Sequence, residues 1–305
     1  MLYSLIFHHF HDNRMYNWSQ GSSTPEEFFK IIEFLKKKFN LLNPDEFIYK
    51  VEKKILKAES VCISFDDGLK AQFDLALPVL KHFNLKAFFF IYTDIFSKNP
   101  PLLEFFRDFR HTFDSIDKYY EIFFEKIKFF SPELFKNFER DYPQDYLNHS
   151  LFYSENDKKY RFMRDQILKE QYSEIVLQIM NDENYKIEKK SKKIFMSKND
   201  ICYLSKKGHE IGLHSHTHPT TIGNYTYLAQ KEEYYKNKLK IEDIIKQNVI
   251  SMSHPCGSYN QDTLKVLKEL NIKIGFCKSL KKIKYASNLE LPREASSNFI
   301  KRYLI

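Results

Sequence analysis

Two hydrophobic periods alternate along this chain. Short apolar runs recur at Leu2–Phe7, Val61–Phe65, Ala87–Tyr92, Glu210–Leu213, Val249–Met252 and Ile272–Phe276, and each has the length and character of a buried strand. Between them, apolar residues fall at helical spacing over Phe28–Phe39, Lys70–Phe83, Asp200–Lys207, Leu228–Gln247 and Asp262–Leu270. Thr24-Pro25-Glu26-Glu27 opens the first of these with an N-cap, a proline at the first helical position and acids in the first turn. Strand, loop, helix, strand is the βαβ signature of a parallel sheet, so the expected fold class is α/β.

One stretch departs from the alternation. From Ser97 to Ser197 there is no glycine, Phe, Tyr and Lys are frequent, and the period is helical. Phe105, Phe106, Phe109 and Phe113 form one apolar stripe, and Met163, Leu168, Tyr172, Ile175, Val176 and Ile179 belong to another. The organisation read from this is a single domain over 1–305 carrying a helical insertion over 97–197. A lid, an extended substrate groove, an oligomer contact and a membrane contact are all roles open to the insertion. Aromatic stripes of this kind usually form core.

Composition narrows the function classes. The 305 residues are 43% hydrophobic, enough for a full core, and 48 Lys and Arg against 40 Asp and Glu give a net charge of +8. A solvated surface accounts for that charge, and an anionic partner such as a sugar phosphate, a lipid phosphate or a membrane surface would exploit it. Lysines cluster near Lys189–Lys193 and Lys278–Lys284. No basic block is interleaved with aromatics, so no nucleic-acid partner is expected. The cysteines Cys62, Cys202, Cys256 and Cys277 form no C-x-x-C pair, and disulfides are not indicated. The start at Met1 lacks the charged region of a signal peptide, and no run of about 18 apolar residues is present. The expectation is a cytoplasmic enzyme, with peripheral contact to the inner membrane face left open.

Two strings then carry the chemistry. Val61–Phe65 runs into Asp66-Asp67-Gly68, and Glu210–Leu213 runs into His214-Ser215-His216-Thr217-His218-Pro219. Loops after parallel strands are where α/β folds place their sites. An Asp with two His leaves a divalent metal an open position for water, and the other Asp is free to act as a base. A single helical turn would bring His214 and His218 onto one face, with His216 pointing elsewhere. Of only seven glycines in the chain, Gly68, Gly208, Gly212 and Gly257 touch the candidate motifs, which suggests backbone constraints there.

Ser64–Gly68 resembles the T/S-F-D-D-G motif of the polysaccharide deacetylase family, the NodB homology domain of the carbohydrate esterase family 4 type. His214-Ser215-x-x-His218-Pro219 resembles its H-S/T-x-x-H-P motif. Ser253-His254-Pro255-Cys256-Gly257-Ser258-Tyr259-Asn260 is similar to the third motif. Gly208-His209-Glu210-Ile211-Gly212, Leu291-Pro292-Arg293 and Phe7-His8-His9 match flanking signatures. The resemblance covers about 60–94 and 194–294, and 1–50 more weakly.

The resemblance implies a distorted (β/α) barrel of the NodB type and metal-dependent removal of an N-acetyl group from an amino sugar. By motif, Asp67, His214 and His218 would bind a divalent metal, expected to be Zn2+. Asp66 would be the general base on a metal-activated water. The backbone N–H of Cys256 would meet the oxyanion, within a substrate loop formed by Pro255, Cys256, Gly257 and Tyr259. Arg293 would pair with Asp66 and hold it ionised.

There are departures. Ser253 stands where the family often has Arg, and Cys256 where it has an aromatic. No His follows His254, so the late histidine that many members use as general acid is missing. The candidates for that role are His8 and His9 first, then His11, His254 or a protonated Asp66. The expected reaction is deacetylation of an N-acylated amino sugar in surface glycan or glycolipid biosynthesis, on a phosphate-bearing precursor linked to a nucleotide or lipid. The alternatives are a deformylase or other C–N amide hydrolase, and, from a different class, an inactive glycan-binding module.

Overall fold

The computed structural model describes residues 4–148, 153–278 and 287–303. Leu2 and Tyr3 of the first expected strand, and residues 279–284 of the second lysine cluster, lie outside them. The chain runs β1 (Ser4–Phe7), α1 (Pro25–Lys38), β2 (Asn40–Leu41), α2 (Pro44–Glu52), β3 (Ser60–Asp66), α3 (Leu77–His82) and β4 (Phe88–Ile91). Six helices follow: α4 (Leu103–Arg110), α5 (Ile116–Phe130), α6 (Pro132–Asp141), α7 (Glu155–Phe162), α8 (Tyr172–Asp182) and α9 (Ile187–Ile194). The alternation resumes with α10 (Lys198–Lys206), β5 (Glu210–Leu213), α11 (Tyr227–Ile245), β6 (Ser251–Ser253), α12 (Gln261–Glu269), β7 (Ile274–Phe276), β8 (Arg293–Ala295) and α13 (Ser296–Tyr303).

Two compact units result, Met1–Pro101 with Lys192–Ile305, and Leu102–Ser191. In the first, the strands pair in the order β7-β6-β5-β4-β3-β1-β8, every pair parallel, with β2 beside β3. Leu291, just ahead of β8, bridges to Phe276 of β7 and exchanges hydrogen bonds with Gly275 and Cys277, both 2.8 Å. That contact nearly closes the sheet into a (β/α) barrel.

Local chemistry explains the elements. Thr24 and Glu27 form a capping box that starts α1, with Pro25 in the first turn. The segment read as one helix over Lys70–Phe83 begins as a wide π-helical turn, Gln72–Ala76, and becomes α-helical at Leu77. Pro78 therefore sits in a first turn, where its missing N–H costs little.

Strand alternation divides the core. One face of the strands gathers Cys62, Phe88, Phe90 and Phe276, packed against Phe47 and Val51 of α2. The other face stacks Phe65 on Phe89 with centroids 4.7 Å apart and meets α1 where Phe28 packs edge-on to Phe7 at 4.8 Å. Gly212 lets β5 lie close to its neighbours, because a Cβ there would come within 2.6 Å of the Phe90 ring and of Ser251 Oγ.

The second unit is helical. Tyr119, Phe123, Phe109 and Tyr160 are buried at its centre, and Phe123 packs edge-on to Tyr160 at 4.9 Å. Phe105, Phe106 and Phe109 of the first stripe are buried, as are Met163, Leu168, Ile175, Val176 and Ile179 of the second. Both stripes are core. Among the described residues, no helix is long and apolar enough to cross a membrane.

Candidate active site

The C-terminal ends of β1, β3, β5 and β6 carry the residues that the sequence singled out. Asp66 ends β3 and is buried. Arg293 grips it through two parallel bonds, Nη1 to Oδ1 at 2.7 Å and Nη2 to Oδ2 at 2.8 Å, and the Ser253 hydroxyl donates to Oδ2 at 3.0 Å. Arg293, 1% exposed, spends its five donors on these two carboxylate bonds, on Ser64 and Ser253 hydroxyls and on the Cys277 carbonyl. Its guanidinium lies over the Phe90 and Phe276 rings. Burial opposes the Asp66 charge most strongly, but the Arg293 cation and its hydrogen bonds, with His214 and His8, together outweigh it and hold the carboxyl down to about 2.

Asp67 sits one residue on, at φ +78°. That left-handed turn takes its side chain out of the strand's alternation. Its buried Oδ1 has no hydrogen-bond partner and stands 3.4 Å from His214 Nε2 and 3.4 Å from His218 Nε2. Burial would raise this carboxyl, and the two imidazoles hold it below the usual carboxylate range instead.

His214 follows β5. Its Nδ1–H donates to the Ser253 carbonyl at 2.9 Å, which leaves the Nε2 lone pair facing the carboxylates. Its backbone N–H donates to Asn237 Oδ1 at 3.0 Å. Burial lowers its basicity, yet Asp66 and Asp67 together raise it above the ordinary imidazole range. His214 and His218 do not meet through a helical turn as the spacing suggested. The segment is an irregular loop with left-handed residues at Ser215 (φ +60°) and His218 (φ +57°). The Ser215 hydroxyl pins it by accepting from the His218 N–H at 3.1 Å. His216 turns away to Thr93 Oγ1, 2.9 Å, as expected.

Asp67, His214 and His218 are the one such metal-capable group among the described residues, with ligand atoms within 4.8 Å of one another. Two ligands bonded at about 2.0–2.1 Å to one tetrahedral ion stand about 3.3–3.4 Å apart. The two separations from Asp67 Oδ1, and its lack of a hydrogen bond, fit that arrangement. A divalent ion suits this donor set.

The remaining candidates divide. His8 is half-buried beside both carboxylates; burial lowers it to about 4 against their pull. His9 lies parallel to His8 with ring centroids 6.2 Å apart. His11 bonds Ser22. His254 donates to the Leu289 carbonyl at 2.8 Å and stacks on Tyr259 at 4.3 Å, so both support the loop from behind. The Tyr259 hydroxyl donates to Glu290 at 2.9 Å. Pro255–Gly257 is a tight turn whose own bonds come from the Gly257 and Ser258 N–H groups. Cys256, at φ +52°, is its exposed tip.

Two supporting residues escaped the sequence reading, and a third, Ser253, entered it only as a departure from the motif. Asn237 of α11, fully buried, bonds the His214 backbone, the Ile91 carbonyl and Thr93. Gln72 ties the carbonyls of His8 and Asp66 together at 2.8 and 2.6 Å. Ser253 joins Asp66 to Arg293. Polar residues on the buried faces of amphipathic helices were the available signal for the first two.

The polysaccharide deacetylase family profile matches residues 53–275. No curated protein matches the chain. Among solved structures, IcaB from Ammonifex degensii superposes with a TM-score of 0.61 at 12% identity, covering 99% of this chain and 94% of that one. The Streptococcus pyogenes deacetylase PplD, solved with acetate, gives 0.55 at 15% identity, covering 96% and 91%. A de-N-acetylase from Aggregatibacter actinomycetemcomitans gives 0.57 at 12%, covering 96% and 94%. At these identities the likeness is one of fold.

Proposed function

Since this chain belongs to the polysaccharide deacetylase family, whose members are metal-dependent hydrolases of N-acetylated sugars, we propose that it removes the acetyl group of an amino sugar at the Asp66–Asp67–His214–His218 cluster. The observation that carries the reading is the unpartnered Asp67 Oδ1, equidistant from two imidazole nitrogens beside a second, differently held carboxylate. Asp67, His214 and His218 would hold the ion, for which zinc suits two nitrogens and one oxygen. That ion would supply Lewis acidity, lowering the pKa of water and polarising the acetamide oxygen.

The protein's own groups then do the rest. Asp66 stays ionised and takes the proton of the attacking water, its orientation fixed by Arg293 and Ser253. The Cys256 N–H, at the exposed tip of the turn, would be the donor to the developing oxyanion. Asp66 passes the water proton to His8, neutral at rest, and we assign to the imidazolium so formed its delivery to the leaving amine, which restores both groups. The net charge of +8 suits a phosphate-bearing carrier, so a nucleotide- or lipid-linked precursor of a surface glycan, met in the cytoplasm, is the substrate class we favour.

The test is acetate release. Chelator-stripped protein reloaded with zinc should bind one ion per chain and release acetate from N-acetylated oligosaccharides or carrier-linked sugars, and the stripped form should not. Release of formate alone from N-formyl sugars would move the reading to a deformylase. Sugar binding by fully loaded protein with no hydrolysis of any N-acyl sugar would leave only a binding module.

A further inference from the structure

Between the two imidazoles of the cluster lie Ser215, His216 and Thr217. These residues carry the hold on the loop. Glu233, half-buried in the second turn of α11, accepts three hydrogen bonds from them. Its Oε2 takes the backbone N–H groups of His216 and Thr217, each at 2.9 Å, and its Oε1 takes the Thr217 hydroxyl, also at 2.9 Å. Bonds to an ionised carboxylate are roughly twice as strong as those between neutral groups, and here both oxygens of one side chain are spent on a single stretch of loop.

His216 is held on its other sides as well. Its carbonyl accepts from the Asp94 N–H at 2.9 Å. Asn237 donates to the Thr93 hydroxyl at 3.1 Å, and that hydroxyl meets His216 Nδ1 at 2.9 Å. Glu233 and Asn237 stand four residues apart, on one face of α11. Asn237 bonds the His214 N–H, and Glu233 bonds the run that leads on to His218.

The two histidines are therefore fixed by different means. His214 has β5 directly behind it and the Ser253 carbonyl on its ring. His218 lies beyond the left-handed Ser215 and is itself left-handed, so its place depends on how the intervening residues run. Side chains with a Cβ keep such conformations only where the surroundings over-determine them. The Glu233 carboxylate supplies that constraint.

We propose that Glu233 is the positioning residue for His218, holding the loop so that His218 Nε2 stands 3.4 Å from Asp67 Oδ1. It touches neither substrate nor ion. The proposal rests on the assignment of Asp67, His214 and His218 as ligands and goes beyond it by dividing the two histidines between two supports on one helix.

Zinc affinity, by competition with a chelator, and the visible spectrum of the cobalt-substituted protein read this without any turnover. Glu233→Ala should bind zinc about 10–100-fold more weakly, and its cobalt spectrum should move towards that of His218→Ala. Glu233→Gln should restore most of the affinity, because its amide oxygen can accept the two N–H groups while its NH2 donates to the Thr217 hydroxyl. A double-mutant cycle separates positioning from general support. In a His218→Ala background, Glu233→Ala should cost less than about twofold more, since the imidazole it places is already gone. A further loss of about tenfold in that background, or parent-like affinity in Glu233→Ala alone, overturns the proposal. Circular dichroism checks the fold of each variant. If Glu233→Ala does not fold, Thr217→Val decides: at an exposed position it deletes one of the three bonds and should weaken zinc severalfold, and affinity within about twofold of the parent overturns the proposal. Parent protein that binds zinc through the three ligands but hydrolyses no N-acyl sugar leaves the proposal standing and removes the deacetylase reading. Parent protein that binds no zinc removes both.

Discussion

Asp66 and Asp67 are adjacent in sequence and opposite in surroundings. Arg293 and Ser253 close on the first, while Oδ1 of the second faces two imidazole nitrogens and has no hydrogen-bond partner. Separate variants should separate their roles. Asp67→Ala, His214→Ala and His218→Ala should each drop metal content well below one ion per chain by elemental analysis. Asp66→Asn should keep the ion and lose about 100-fold or more in kcat, the usual scale of a general base. Full occupancy in the first three, or an active Asp66→Asn, would reverse the assignment. Arg293 can be tested by pH. It holds the folded Asp66 carboxyl at about 2, below the ordinary carboxylate value of about 3.9. The pair therefore contributes about 2 kcal/mol that is fully present above pH about 4 and lost as pH falls through about 2. Arg293→Gln removes that clamp and leaves a buried charge unpaired, a cost of about 3–5 kcal/mol. It should lower Tm and move the acid limb of kcat/KM to higher pH; an unmoved limb would show that Arg293 does not set the charge of Asp66. The two Asp were legible in the sequence because they sit side by side after an apolar run. The pairing of Arg293 with Asp66 was implied by the resemblance, but its bonds to Ser64, Ser253 and Cys277 were not legible, since they depend on residues brought together from β3, β6 and the end of β7.

The elements around the site explain where sequence reading succeeds and where it stops. β3, β4 and β5 announce themselves as apolar runs, and their ends deliver Asp66, Thr93 and His214. β8 does not, because Arg293-Glu294-Ala295 has no apolar run; its strand character comes from pairing with β1. The His string misleads in a different way. Its i, i+4 spacing also suits a helical turn, but Ser215 and His218 take left-handed conformations that no periodicity encodes. α11 was legible in length but not in orientation. Its buried positions are Gln230, Tyr234, Asn237 and Ile241, a stripe with helical spacing but mixed polarity, so no clean apolar face marked it. Asn237 is the consequence that matters. In Asn237→Leu, the His214 N–H and the Ile91 carbonyl would each lose a buried partner, at about 1–3 kcal/mol apiece. Metal affinity should fall about 10–100-fold in competition with a chelator, the scale typical of residues that orient ligands, while saturating zinc restores most of kcat. Affinity equal to that of the parent protein would show that the loop holds His214 without α11.

At the scale of the whole barrel, acid is the predicted weakness. His209 and His254 are 5% and 1% exposed, and burial lowers both to about 4. His209 Nδ1 accepts from the Ala87 N–H at 3.2 Å, a bond that needs the neutral ring. The unfolded chain takes up these protons near pH 6.5, whereas the folded chain waits until about 4. The stability they contribute is therefore complete above pH about 6.5 and is lost as pH falls towards 4, by about 3 kcal/mol for each ring. Tm measured from pH 7.5 to 4.5 should fall steadily, and a flat profile would mean that both rings are protonated in the folded state. The α/β class and the helical character of 97–197 could be read from the alternation of periods, because burial on both sides of a strand forces that pattern, whereas the barrel was implied only by the family resemblance. Closure could not be read, since it rests on a single isolated bridge between Leu291 and Phe276, which leaves no periodic pattern in the sequence. That closure has a consequence for synthesis. A ribosome completes the Asp-Asp string early and the histidine string later, but the guanidinium that neutralises Asp66 comes with the last strand. A polypeptide that stops short of Leu291 therefore lacks both the bridge to Phe276 and the guanidinium that pairs with Asp66.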